Sequence, residues 1–198
     1  MAEKLGLFTS QLVEGRFQEV NISYIGDITE NDLTPLTLSL VKGLLAPILK
    51  ETVNFVNAIN IAKERGIKIQ EVRNTKEEEF VTLIKVEVKT DTVSKVVCGT
   101  LSANKQPRIV KIDDYYMEVA PVGDMLMIRN LDVPGIIGNL GTLLGKHNIN
   151  VAAMSFGRRD QRGDEALSVI NIDNPVSVQI LEQIKGIKNI LAVKLIRL

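Results

Sequence analysis

The stretch DMLMIRNLDVPGIIGNLGTLLGKHNINVAAMSFGR, residues 124–158, decides the fold of the second half of the chain. It begins a succession of predicted elements: strand 124–129, helix 134–147, strand 150–158, strand 165–172, helix 175–185 and strand 190–197. This β-α-β-β-α-β order is that of the ferredoxin-like motif, in which two helices cover one face of an antiparallel sheet. We expect the other face and the sheet edges to remain available for a partner subunit.

The first half of the chain has another order of predicted elements and is a mixed α/β domain. Its predicted elements are helices 2–14, 32–50 and 54–65 and strands 20–26, 67–72, 79–90, 95–102, 108–112 and 115–119. Gly15 suits the end of the first helix, and Pro35 suits the first turn of the second. We therefore expect an α/β domain of residues 1–122 and a ferredoxin-like domain of residues 123–198, which gives an α/β (α+β) fold class.

Charge and cysteine content exclude several classes of partner. Lys plus Arg equals Asp plus Glu at 24 each, so no overall field attracts nucleic acid or an anionic membrane. The longest apolar stretch, residues 36–49, is interrupted by Lys42 and Pro47 and is too short to span a bilayer. The single cysteine, Cys98, cannot form an intrachain disulfide, which is typical of a reducing compartment. We expect a cytoplasmic protein.

Two segments of the second domain resemble the signature of an ACT domain. They are residues 131–137, LDVPGII, and residues 143–151, LLGKHNINV. The resemblance implies that this domain binds an amino acid at an interface between copies and regulates the enzyme to which it is attached.

The first domain resembles the intervening domain of the long form of phosphoglycerate dehydrogenase. The similar segments are residues 2–6 (AEKLG), 35–37 (PLT), 42–47 (KGLLAP), 53–58 (VNFVNA) and 62–67 (AKERGI). In that family the domain lies between the catalytic portion and the ACT domain and is regarded as an allosteric substrate-binding domain. The resemblance implies a parent enzyme that oxidises 3-phosphoglycerate with NAD in the first step of L-serine synthesis, feedback by L-serine, and a homodimer or tetramer.

No catalytic residue, metal or cofactor is expected in this chain, and NAD belongs to the full-length enzyme. A dinucleotide fingerprint needs G-x-G-x-x-G between a strand and a helix, with an acidic residue about 20 positions further on. Gly135, Gly138 and Gly141 have another spacing, and we interpret them as close packing of a helix against a sheet or a neighbouring subunit. One His and one Cys cannot supply a thiolate zinc site or an iron–sulfur cluster.

The turn around Pro134 is the candidate effector site. Pro134 suits the first helical position, so the N–H groups of Gly135 and Ile136 are expected to point outward at the positive end of the helix and to hold a carboxylate. Asp132 precedes the turn and Asn150 begins the next strand beside it, so their oxygens are candidates to accept bonds from an ammonium.

Asn130 is expected to reach the side-chain hydroxyl of the ligand. In the family resemblance Asn130, Asp132 and Asn150 match positions that bind serine, although a His often stands where this sequence has Asn130. The alternative is that Asp132 only caps the helix and Asn150 only supports a turn.

A phosphorylated hydroxy acid is a second possible ligand, at the first domain. The candidate residues are Lys95, Lys105, Arg108 and Lys111, near the predicted strand ends. The alternative is that these cations are solvated surface.

Two other functions remain open from the sequence. One is an ACT-type regulatory protein or fragment of another amino-acid enzyme, such as L-serine dehydratase. The other is a nucleic-acid-binding module, since ferredoxin-like sheets can bind RNA, but the sequence lacks the aromatic and basic residues of a stacking platform.

Overall fold

The computed structural model of the chain describes residues 1–49, 52–75, 80–158 and 165–198. The chain divides into two compact units, Met1–Asp113 and Asp114–Leu198. Among the described residues no helix is long and apolar enough to cross a lipid bilayer.

The first unit is a mixed sheet with three α-helices. Its elements are α1 (Ala2–Leu12), β1 (Phe17–Gly26), a 3-10 helix (Asp27–Glu30), α2 (Thr34–Leu45), α3 (Ala58–Glu64), β2 (Lys68–Asn74), β3 (Thr82–Thr90), β4 (Ser94–Leu101) and β5 (Pro107–Ile112). Within this unit the strands are ordered β2-β1-β3-β4-β5. β1 and β2 are parallel, and the other neighbours are antiparallel.

All three helices of this unit are shorter than the sequence predicts, and α1 ends at Leu12 rather than at residue 14. α2 ends at Leu45, close before Pro47, which has no N–H to continue the helix. α3 begins only at Ala58. In the turn before it, the Asn54 side-chain oxygen accepts bonds from the N–H groups of Val56 and Asn57 at 2.9 and 3.0 Å, and the Asn57 side-chain oxygen accepts from the Asn54 N–H at 2.7 Å. These bonds satisfy backbone N–H groups ahead of the helix, as a capping box does.

α1 and α2 pack against each other through two glycines. A Cβ at Gly6 would overlap the Leu40 carbonyl oxygen, and a Cβ at Gly43 would overlap the Glu3 carbonyl oxygen. The absence of side chains at these two points therefore lets the helix backbones approach closely. Lys42 beside the contact donates to Glu3 at 2.8 Å.

The second unit contains the predicted ferredoxin-like sheet. Its elements are β6 (Tyr115–Val119), β7 (Asp124–Leu131), α4 (Ile136–Lys146), β8 (Val151–Arg158), β9 (Glu165–Ile172), α5 (Val178–Lys185) and β10 (Ile190–Arg197). The four-stranded sheet has the order β10-β7-β9-β8, and each neighbouring pair is antiparallel. Its buried core consists of Leu126, Ile128, Leu140, Leu144, Ile149, Ile170, Ile172, Val176 and Ile184. The α+β class is confirmed.

Both helices of the second unit begin later than predicted. Pro134 is not the first helical residue, because Gly135 adopts a left-handed backbone conformation (φ 95°) and α4 begins at Ile136. α5 begins at Val178 rather than at residue 175, because Ser177 is its N-cap and accepts from the Ile180 N–H at 3.4 Å.

Residues 118–122 are attached to the second unit by side-chain bonds. The Ser155 hydroxyl donates to the Glu118 carbonyl, and Asn171 Nδ2 donates to the carbonyls of Ala120 and Val122 at 3.0 and 3.1 Å. The domain boundary that the sequence predicts, between residues 122 and 123, would assign this segment to the first domain. That boundary stays a prediction.

Candidate functional site

An open cleft of the second unit lies where the end of β7 and the start of α4 meet the end of β8. Its volume is about 440 Å³, and its lining consists of Asn130, Asp132, Val133, Pro134, Gly135, Ile136, Ile137, Gly138, Phe156 and Arg158. Four of the five residues predicted to bind an effector are in this lining, and Asn150 is not. The volume is in the range of small-molecule sites.

The strand register explains why these residues meet. β7 and β8 are both antiparallel to β9, which lies between them, so they run parallel to each other. Ala166 of β9 is opposite both Asn130 of β7 and Arg158 of β8. The turn that follows β7 therefore lies at the same sheet edge as the last residues of β8.

Asn130 brings a buried acceptor to the cleft. The residue is 1% exposed, and its Nδ2 donates to the Leu131 carbonyl at 2.7 Å, which distinguishes the nitrogen from the oxygen of the amide. Its Oδ1 is buried and has no hydrogen-bond partner among the residues that the structure describes. A buried acceptor without a partner costs about 1–3 kcal/mol, so a ligand donor at this oxygen would be favourable.

The N-terminus of α4 supplies backbone donors. The Asn139 N–H donates to the Gly135 carbonyl at 2.9 Å as the first intrahelical bond. The N–H groups of Ile136, Ile137 and Gly138 precede it and have no intrahelical acceptor. They lie at the positive end of the helix dipole, where an anion is stabilised.

Asp132 and Arg158 form an ion pair in the cleft. Arg158 Nε lies 3.1 Å from Asp132 Oδ2, and the side chains are 58% and 13% exposed, respectively. The Arg158 guanidinium lies 5.4 Å from the centre of the Phe156 ring. Sequence reasoning missed Arg158, although the parallel course of β7 and β8 in this motif places it at the same sheet edge.

Asn150 does not lie beside Asp132, so that expectation is wrong within one chain. Asn150 precedes Val151, which is level with Asp124 because both are opposite Ile172 of β9. It is thus at the other end of the sheet, roughly 20 Å from Asn130 at about 3.4 Å per residue. Its Nδ2 donates to Asp173 Oδ2 at 2.6 Å.

The four cations predicted to hold a phosphorylated ligand are not brought together. Lys105 lies in the turn between β4 and β5, and Arg108 Nη1 donates to the carbonyl of the preceding residue at 2.8 Å. Lys95 is near the other end of β4, where its Nζ lies 2.5 Å from Asp113. Lys111 is opposite Cys98, between these ends.

A cleft of about 460 Å³ in the first unit contains other cations, among them Arg16, Lys68 and Lys89. Lys89 lies 3.2 Å from Glu19, and hydrogen bonds from Asn21 and Lys89 lower the pKa of Glu19. The carboxylate in turn raises the pKa of Lys89. This cation is already paired.

The second unit matches the ACT domain family over residues 125–189. Together with the βαββαβ order and a polar cleft at the start of its first helix, the match defines the class of the chain as a protein with an ACT domain.

Residues 1–113, more than half of the chain, match the D-3-phosphoglycerate dehydrogenase intervening domain. The chain therefore belongs to the D-3-phosphoglycerate dehydrogenase family and corresponds to its regulatory portion, an intervening domain followed by an ACT domain.

Full-length relatives agree with this assignment. The chain is 35% identical to the D-3-phosphoglycerate dehydrogenases of Synechocystis sp. and Methanocaldococcus jannaschii and 34% identical to that of Bacillus subtilis. The alignments cover 98–100% of this chain but 36–38% of the relatives. The chain thus spans little more than a third of their length.

Proposed function

We propose that this chain binds L-serine, or a closely related amino acid, at interfaces between ACT domains and passes the signal to a D-3-phosphoglycerate dehydrogenase. The dehydrogenase would use NAD in a catalytic portion outside this chain. The role of this chain is to sense the amino acid. The relatives are named D-3-phosphoglycerate dehydrogenase, which supports this activity for the parent enzyme. The single cysteine favours a cytoplasmic location.

The observation that carries the proposal is the buried Oδ1 of Asn130 beside the start of α4, for which the described part of the chain supplies no hydrogen-bond partner. A free amino acid presents an ammonium, a carboxylate and, in serine, a hydroxyl. Asp132 offers an acceptor for the ammonium, and the first N–H groups of α4 offer donors for the carboxylate. Asn130 Oδ1 then accepts the serine hydroxyl, which a ligand such as alanine lacks.

Asn150 enters this site from a second copy of the chain. Because it lies at the opposite sheet edge from Asn130, one chain cannot place both on one small ligand. A ligand bound by Asn130 and Asp132 of one copy and Asn150 of another would bridge the two copies, in a homodimer or tetramer. Such a ligand regulates the enzyme to the extent that it binds one quaternary state more tightly than another.

Calorimetric titration of the purified chain tests the binding step. L-Serine is expected to bind and D-serine and glycine to bind more weakly, while Asp132→Ala is expected to abolish L-serine binding. Asp124→Ala is the matched control, because Asp124 is also in an ion pair but at the other end of β7. A verified dimer that binds no L-serine would refute the serine proposal.

Mixed dimers test the bridging step. Asp132→Ala and Asn150→Ala homodimers are each expected to lose binding. A heterodimer of the two variants retains one site with Asp132 from one copy and Asn150 from the other, and should bind one L-serine. If the heterodimer binds none while the wild type binds, the site does not bridge copies as proposed.

A further inference from the structure

Among the residues that the structure describes, two charged side chains, Asp132 and Arg158, line the cleft. The other lining side chains are apolar, apart from the amide of Asn130. The formal charge of the described lining is therefore zero, and its two charges lie within one ion pair of 3.1 Å. A ligand with one positive and one negative group matches this arrangement, whereas a ligand with a single charge leaves one side without compensation.

The two members of the pair differ in exposure. The Asp132 side chain is 13% exposed, while the Arg158 side chain is 58% exposed. The contact with Asp132 runs through Arg158 Nε. A guanidinium carries five N–H donors, one on Nε and four on the two Nη atoms. The four Nη donors are enough to bind a second carboxylate, that of the ligand.

We propose that Arg158 binds the carboxylate of the amino-acid ligand and makes the site specific for molecules that carry both an ammonium and a carboxylate. This inference rests on the proposed function of the same cleft. The planar guanidinium fork suits a carboxylate in two-point contact, which an ammonium group cannot match. Its position over the Phe156 ring at 5.4 Å restricts the fork before the ligand arrives.

The resulting arrangement assigns each ligand group a partner of opposite charge. The ligand ammonium binds Asp132, whose carboxylate keeps Arg158 nearby. The ligand carboxylate lies between the Arg158 fork and the N–H groups at the start of α4. Ethanolamine, which is serine without its carboxylate, leaves Arg158 with Asp132 alone, and glycerate, which lacks the ammonium, leaves Asp132 with Arg158 alone.

Titrations of the full chain with L-serine, ethanolamine and glycerate test the assignment. The wild type is expected to bind L-serine at least about tenfold more tightly than either analogue. Arg158→Gln is expected to weaken L-serine binding by about 10- to 100-fold and to remove most of the preference for L-serine over ethanolamine. Arg158→Lys keeps the charge but not the fork, and should recover only part of the affinity.

Arg197→Gln is the matched control, because Arg197 also ends a strand and lies 3.6 Å from an aspartate, Asp124. It should leave L-serine binding unchanged. If the wild type binds L-serine and Arg158→Gln binds it equally well, or keeps the preference over ethanolamine, Arg158 has no role in carboxylate binding although the cleft remains a serine site. If the wild type binds no amino acid, both the proposed function and this assignment are refuted.

Discussion

The helical glycines of the two units have opposite surroundings. In the first unit Gly6 of α1 and Gly43 of α2 lie against the backbone of the facing helix, so that no Cβ fits at either position. In α4 of the second unit Gly138, Gly141 and Gly145 are exposed, and no described atom lies within 4 Å of where their Cβ atoms would be. The same residue type therefore serves internal packing in one unit and an open surface in the other.

This difference corrects part of the sequence interpretation. Glycines of α4 were expected to pack against a sheet or a neighbouring subunit, but the core face of this helix carries Ile136, Leu140 and Leu144 instead. A glycine in a helix interior costs roughly 1 kcal/mol relative to alanine, and packing within the described part of the second unit does not offset that cost. A contact with another copy remains the interpretation that accounts for these glycines.

Gly6→Ala is the substitution expected to change stability most, because it adds a side chain where two helix backbones are in contact. The added methyl group overlaps the Leu40 carbonyl, so α1 and α2 must separate, and the first unit should lose about 3 kcal/mol of stability. Urea unfolding of the full chain measures the loss, and hydrogen exchange at residues 2–45 assigns it to the helix pair. Unchanged unfolding would mean that the two helices do not approach as closely as described.

Much of the fold was predictable because local patterns and tertiary packing agree. The bounds of β6, β9 and β10 are those predicted from their sequence patterns. The start of α4 was not predictable from its sequence pattern. Pro134 suits a first helical position, but Gly135 adopts a positive φ and the helix begins only after it.

The site was predictable only where its residues are close in sequence. Asn130, Asp132, Gly135 and Ile136 lie close together in sequence, from the end of β7 to the start of α4, and the structure places all four at the cleft. Arg158 and Asn150 depend on the strand register instead. Because β7 and β8 run parallel, the end of β8 comes to the cleft and its start is at the other sheet edge.

Tyr24→Phe tests whether the helices of the first unit are held by polar bonds as well as by close packing. The hydroxyls of Tyr24 on β1 and Thr37 on α2 lie 2.8 Å apart, and both residues are buried. Removing one hydroxyl leaves the other without this partner, so we expect a loss of about 1–2 kcal/mol at neutral pH by urea unfolding. Stability equal to that of the wild type would show that packing alone holds α2.

The pH dependence of the same pair gives a second measurement. Burial raises the pKa of Tyr24 to about 12, above an ordinary value of about 10, while its bond to Thr37 acts in the opposite direction. Below pH 10 the phenol is protonated in both folded and unfolded chains, and its contribution is fully present. Between pH 10 and 12 the unfolded chain ionises first, so wild-type stability falls.

The Tyr24→Phe variant has no phenol to ionise at this position, so it does not lose stability in this way between pH 10 and 12. The difference in melting temperature between the wild type and Tyr24→Phe should therefore narrow as the pH rises from 10 to 12. A constant difference across that range would contradict burial of a protonated Tyr24.

Gly141→Ala should have the smallest effect and the opposite sign from Gly6→Ala. Its Cβ meets no described atom within 4 Å, and alanine favours the helix, so the second unit should gain about 0.5–1 kcal/mol in urea unfolding. Sedimentation of the same variant separates folding from assembly: if the glycine face of α4 contacts another copy, the dimer should weaken although the fold is stabilised. If Gly141→Ala stabilises the fold and leaves the dimer unchanged, the copies make contact elsewhere and these glycines have no packing role. If the substitution destabilises the monomer, the surroundings of Gly141 are not open as described.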